Sequence, residues 1–87
     1  MKDLAGKVAI VTGAARGTGA AIARRFAEHD AHVVLGDILR EEGEQVAKEI
    51  GPLARFVSHD VTDEAQWAAV VAAAEKVTGR VDVLVNN

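Results

Sequence analysis

The residues best suited to chemistry in this chain are three glycines, two aspartates and an asparagine, placed where buried apolar runs give out. Gly13, Gly17 and Gly19 follow the run Val8-Ala-Ile-Val-Thr12 with the spacing G-x-x-x-G-x-G. Gly13 permits backbone dihedrals that a Cβ would penalise. Gly17 lets the main chain lie against a ligand, and Gly19 lets the next helix pack close to the strand. The first amides of that helix lack internal acceptors and sit at the positive end of its dipole, so a diphosphate fits there. Taken alone, the glycines also suit an ordinary strand-to-helix turn. A P-loop is excluded, because no Lys-Ser/Thr pair follows Gly19.

Asp37 lies 18 residues beyond Gly19, at the end of a second apolar run. An acid in that place can accept from both hydroxyls of an adenosine ribose. A solvated acid or a helix cap is the plain alternative. Asp60 follows a weaker third run and could receive an adenine amino group, or serve only as a turn acid. Asn87 stands where the last strand opens into the same crevice, a position that also suits a turn asparagine. His29, His32 and His59 lie in or beside loops without ligand spacing and read as surface histidines. Glu41, Glu42, Glu44 and Glu49 read as the solvated face of a helix, and no metal site is expected.

The elements that must position these groups alternate in type. Strand one covers about Val8 to Thr12. A helix from about Thr18 to Glu28 turns Ile22, Ala23, Phe26 and Ala27 inward, leaving Arg24, Arg25 and Glu28 in water. Asp30 is expected to end it in left-handed geometry. Strand two, Val33 to Gly36, ends at Asp37, and its unbroken apolar run implies cover on both faces. A helix over Arg40 to Ile50 turns Val46, Ala47 and Ile50 inward and stops at Gly51-Pro52. Strand three covers about Arg55 to Ser58. Thr62 or Asp63 caps the next helix, with Gln66 placed to answer a cap at Asp63. Trp67, Val70, Val71, Ala74 and Val77 form its apolar stripe, and Gly79 ends it. Strand four covers Val81 to Val85.

Four strands alternating with three helices imply a parallel α/β sheet. With strands two and four flanking strand one, the order is 3-2-1-4, a doubly wound Rossmann-type arrangement. The crevice then opens between strands one and four, where the glycine loop, Asp37, Asp60 and Asn87 converge.

Composition narrows the function. The 87 residues carry a formal charge of −3 with no basic cluster, which argues against nucleic acid. There are no cysteines, so disulfides and thiolate metal sites are excluded. No apolar run approaches the roughly 18 residues of a membrane span, and no signal peptide is evident, so a soluble cytoplasmic protein is expected.

Three linked segments resemble the short-chain dehydrogenase/reductase family. Thr12-Gly-Ala-Ala-Arg16-Gly17-Thr18-Gly19 is similar to its T-G-x-x-x-G-x-G cofactor loop. Asp60-Val61-Thr62 is similar to its adenine-contacting D-V-T element, and Val83-Leu-Val-Asn86-Asn87 to the opening of its L-V-N-N-A-G strand. The run Gly36 to Gly43 resembles bacterial hydroxysteroid dehydrogenases within the family. Thr18 departs from the usual Ile or Leu.

The resemblance implies an NAD-dependent oxidoreductase that moves a hydride between the nicotinamide and a secondary alcohol or ketone. Residues 1–87 would be the N-terminal portion of one dinucleotide-binding Rossmann domain, within a longer protein that assembles as a homo-oligomer, a tetramer in this family. The implied cofactor contacts are Gly13, Arg16, Gly17, Thr18, Gly19, Asp37, Ile38, Asp60, Val61 and Asn87, with Asn86 tying strand four to its neighbours. No catalytic residue is implied, because the family's Asn, Ser, Tyr and Lys follow the N-N-A-G element. A redox-sensing module on the same fold, without chemistry, is the alternative. For the cofactor, Asp37 favours NAD by opposing a 2′-phosphate. Arg16 argues for NADP but can turn to solvent, and Ile38 adds no positive charge.

Overall fold

The computed structural model describes residues 4–60 and 62–87. Among them, strands and helices alternate: β1 (Val8–Thr12), α1 (Gly17–Glu28), β2 (His32–Asp37), α2 (Arg40–Ile50), β3 (Ala54–Ser58), α3 (Glu64–Thr78) and β4 (Val83–Val85). The strands form one parallel sheet in the order β3-β2-β1-β4. This is the expected Rossmann-type order. The chain steps outward from β1 through β2 to β3, then returns to place β4 on the other side of β1.

Both faces of the sheet are covered, which is why β1 and β2 are apolar without alternation. One face packs Val11, Ala14, Ala20, Ala23, Val33, Leu35 and Val46 together under α1 and α2. The other packs Val8, Ile10 and Val34 against Val70 and Ala74 of α3. The inward face expected for α1 is observed. Ala23 is fully buried, and Ile22, Phe26 and Ala27 pack against the same cluster. Asp30 ends that helix at φ 69°, the left-handed geometry expected of it. Its amide donates to the Ala27 carbonyl, and that of Ala31 to the Phe26 carbonyl.

The α3 stripe is narrower than its sequence implies. Only Val70 and Ala74 are fully buried, while Val71 and Val77 remain 36% and 39% exposed. Val71 lies at the margin of the arc and Val77 in the last turn, beyond the buried centre. Strand β4 begins at Val83 rather than Val81. The Asp82 carboxylate, not a strand carbonyl, takes the Val8 N–H at 2.9 Å, while the Asp82 amide donates to the Val8 carbonyl. Leu84, in register with buried Ile10, is 55% exposed at the sheet edge. No helix of the described residues is long and apolar enough to cross a membrane.

His59 corrects the sequence reading most sharply. It is 2% exposed rather than a surface residue. It lies two positions beyond Val57, which packs on the α3 face of the sheet. Its ring meets Trp67 edge-on at 4.3 Å between centroids. It also fills the space left by Gly36, where a Cβ would stand 2.9 Å from Nδ1. Neither ring nitrogen has a hydrogen-bond partner among the described residues. Burial therefore pushes its pKa below the ordinary value, against a weaker opposite pull from Asp60.

Below a pH of about 6.5 the unfolded chain takes up a proton that the folded chain refuses. Stability should then fall with pH by up to about 1.4 kcal/mol per unit, until the depressed folded pKa is reached. Thermal melts of wild type and His59→Leu between pH 7.5 and 5.5 check this. The wild type should lose distinctly more stability than the variant, and parallel losses would contradict the assignment. The window lies above the carboxylates Asp60 and Asp82, whose pKa values are lowered.

Candidate functional site

The carboxyl ends of β1, β2 and β4 bring the expected residues together. After β1 the chain turns at Gly13, with φ 61°, and again at Gly17, with φ 54°. The three glycines differ in what surrounds them, and a Cβ on Gly13 would stand 3.1 Å from Asn87 Nδ2. A Cβ on Gly17 would meet nothing within 4 Å, so the loop is open there. A Cβ on Gly19 would stand 2.0 Å from the Gly13 carbonyl oxygen and 2.8 Å from Asn87 Nδ2. The backbone freedom expected of Gly13 and the close helix approach expected of Gly19 are both observed.

Helix α1 begins on this loop. Arg16, its N-cap residue, makes no side-chain cap hydrogen bond to the helix amides, and no acid occupies the first turn. The first-turn amides therefore keep their capacity for an anion. Thr18 is exposed beside them.

Asp37 is held from two sides. Its Oδ2 accepts from the Ala15 amide at 3.0 Å, and its Oδ1 from the Leu39 amide at 2.9 Å. The carboxylate is thereby fixed between the glycine loop and the start of α2. Each oxygen keeps a further lone pair for a hydroxyl donor. The Ala14 amide adds a contact to the Gly36 carbonyl, 3.3 Å away. Ile38 follows, 67% exposed at the mouth of the crevice.

From the other side, Asn87 closes on the loop. Its Nδ2 donates to the Gly13 carbonyl at 3.3 Å, and its amide to the Thr12 hydroxyl at 3.0 Å. That hydroxyl lies 3.2 Å from Asn86 Oδ1 and 3.3 Å from the Val85 carbonyl, with one proton to give. Thr12 is completely buried. It is the knot between β1 and β4, and sequence reading treated it only as a strand end within a motif.

Asp60 serves its own turn. Its Oδ1 accepts from the Thr62 hydroxyl at 2.7 Å and the Thr62 amide at 2.9 Å, which holds its pKa low. Asp63 caps α3, accepting from the Ala65 and Gln66 amides. Gln66 answers Asp63 side chain to side chain, its Nε2 donating to Oδ2 at 3.4 Å, rather than at the Asp63 amide. Its Oε1 reaches back to the Asp60 amide at 2.6 Å, because the Asp63 amide is already spent on the Asp60 carbonyl. Val61 lies outside the described residues.

Arg16 departs from the sequence reading. It is not turned loose to solvent but forms a two-point ion pair with Glu42 of α2. Its Nε meets Oε2, and its Nη2 meets Oε1 at 2.9 Å. The Glu42 carboxyl is held below its usual range by that hydrogen bond, and the guanidinium pKa is raised. Nearby, Arg24 reaches Glu49 at 2.7 Å, so α1 and α2 are laced twice. Glu42 and Glu49, read from sequence as merely solvated, both have partners. A signal for Glu42 existed. It stands four residues before inward-facing Val46, hence on the same side of the helix.

The crevice fits a dinucleotide by its own features: an open positive-φ glycine at the mouth, uncapped helix amides, and a carboxylate immobilised beside them. Such a switch point between outward-running strands is where nucleotides bind in open α/β sheets.

Comparison with known proteins agrees. Residues 7–87 match the family model described as short chain dehydrogenase, and the chain belongs to that family. It is 52% identical over 84 residues to a 3-alpha-(or 20-beta)-hydroxysteroid dehydrogenase of Mycobacterium tuberculosis, covering 97% of this chain and 32% of that protein. It is 44% identical to a 3-beta-hydroxysteroid dehydrogenase of Comamonas testosteroni, covering 97% and 33%. Among solved structures it is similar to a 3-ketoacyl-(acyl-carrier-protein) reductase from Brucella melitensis complexed with NADH. That match has a TM-score of 0.88 and 46% identity, covering 93% of this chain and 34% of the other. The chain thus spans about a third of the length of these relatives.

Proposed function

We propose that these residues form the NAD-binding part of an oxidoreductase acting on a secondary alcohol or ketone, of hydroxysteroid-like size and polarity. The observation that carries this reading is the fixed Asp37 carboxylate, tied by the Ala15 amide to the open glycine loop. One short span thereby offers a diphosphate seat and a ribose acceptor. Gly13, Gly17, Thr18 and Gly19 line the diphosphate, with Asp37 at the adenosine ribose. Ile38 and Asp60 flank the adenine, and Asn87 faces the second ribose. When bound, the cofactor supplies the hydride acceptor or donor. The names of the two hydroxysteroid dehydrogenase relatives support the substrate class.

The proton partner of the reaction is assigned elsewhere. The 87 residues include no tyrosine, and the family resemblance gives that role to a tyrosine assisted by lysine and serine. Calorimetric titration of the 87-residue chain with NADH, followed by assay with NAD and a 3-hydroxysteroid, tests the reading. Saturable NADH binding without turnover is the expected result. No NADH binding would refute the cofactor assignment, and turnover would refute the location of the chemistry.

A further inference from the structure

Three charged groups meet at the corner where the glycine loop, β2 and α2 come together: Asp37, Arg16 and Glu42. Asp37 is pinned by two amides. Arg16 is the only basic residue of the loop from Thr12 to Gly19, and its guanidinium feels the Asp37 charge. Left to itself, that guanidinium is the group that would answer a 2′-phosphate, since its planar fork matches phosphate oxygens. In the structure the fork is already filled, by both oxygens of Glu42.

We infer that Glu42 is a specificity-determining residue, acting by holding Arg16 away from the 2′-position of the adenosine ribose. The inference rests on the cofactor reading above and deepens it. Asp37 supplies the acceptor for free hydroxyls, and Glu42 removes the glycine loop's cation, which would offset repulsion of a phosphate. Together the three groups leave one net negative charge at the corner. With Glu42 neutral they leave none, and Arg16 is released. Asp37 alone would repel the phosphate while a mobile Arg16 beside it attracted the same group, and the pair would discriminate weakly. The Glu42 clamp resolves that conflict.

The clamp is exposed, with side chains 68% and 44% accessible, so its influence is moderated by water and salt. The expected effect of releasing it is therefore modest, about 3- to 10-fold. Dissociation constants for NADH and NADPH should be measured by calorimetry on the wild type, Glu42→Gln, Arg16→Gln and the double variant. Glu42→Gln should tighten NADPH by about 3- to 10-fold and shift NADH far less, and the gain should diminish at high salt. In the Arg16→Gln background most of the gain should vanish, which a merely structural role for Glu42 would not produce.

An unmoved NADPH:NADH ratio in Glu42→Gln, with NADH still bound, would overturn the inference and leave the cofactor reading intact. An equal gain without Arg16 would also overturn it, since the effect would then be one of bulk charge. Failure of the wild type to bind NADH would remove the cofactor reading, and this inference with it.

Discussion

Replacing Gly19 by alanine should destabilise the protein by roughly 2–4 kcal/mol and abolish measurable NADH binding, the largest effect expected of any one-methyl change in the loop. The added Cβ would fall 2.0 Å from the Gly13 carbonyl oxygen and 2.7 Å from its carbon. Both are backbone atoms, so no side chain can swing aside. Either α1 retreats from β1, opening the cluster around Ala20 and Ala23, or the Gly13 turn opens. The second path also breaks the Asn87 contact to the Gly13 carbonyl.

Gly17→Ala makes the control. Its Cβ meets open space, and the cost is the positive φ alone, about 1–2 kcal/mol. Chemical denaturation and NADH titration of both variants distinguish the two roles. Gly19→Ala should be clearly the less stable. Equal stabilities, or a Gly19→Ala protein as stable as wild type, would contradict the close approach of helix to loop.

Asp37→Asn should remove most of the preference for NADH over NADPH. A phosphate on the ribose would face the fixed carboxylate. Two like charges at 4 Å repel by about 4 kcal/mol at an effective dielectric near 20. Relaxation, water and salt reduce that to a net preference of roughly 1–3 kcal/mol, or about 5- to 150-fold in the wild type. The asparagine keeps one acceptor oxygen, so one of the two amides, Ala15 or Leu39, loses its partner. A stability loss of about 1–2 kcal/mol should accompany the change in specificity. Paired dissociation constants for both cofactors check it. A ratio unmoved by the substitution would show that another group faces the 2′-position.

What could be read from sequence divides along physical lines. The alternation of apolar runs with helical spacing fixes β1, β2, α1 and α2 to within a residue, because burial on both faces or one leaves distinct periodicities. The glycine roles were legible too, since backbone freedom and close approach constrain residue type directly. Long-range polar pairing was not legible in the same way. Glu42 finds Arg16 across 26 residues and Asp82 finds Val8 across 74. The spacing of Glu42 from Val46 shows which side of α2 it is on, but nothing local in either segment identifies the partner.

His59 was misread for a related reason. A polar residue just past a weak strand looks solvated. Only the register of β3 against β2, and the missing Cβ of Gly36, create its buried seat. Gln66 shows the same limit at short range. Its spacing from Asp63 suits a reciprocal cap, but the Asp60 carbonyl takes the amide first.

A bound NADH should lie across the carboxyl ends of β1, β2 and β4. Residue-resolved NMR of the isotopically labelled protein titrated with NADH tests it most directly. The amides of Gly13 to Ala20, of Asp37 to Leu39 and of Asn87 should shift together along one saturable curve. The amides of Val33, Leu53 and Ala54, at the opposite end where β2 and β3 start, should stay in place. Shifts confined to that opposite end, or none in the glycine loop at saturating NADH, would contradict the account.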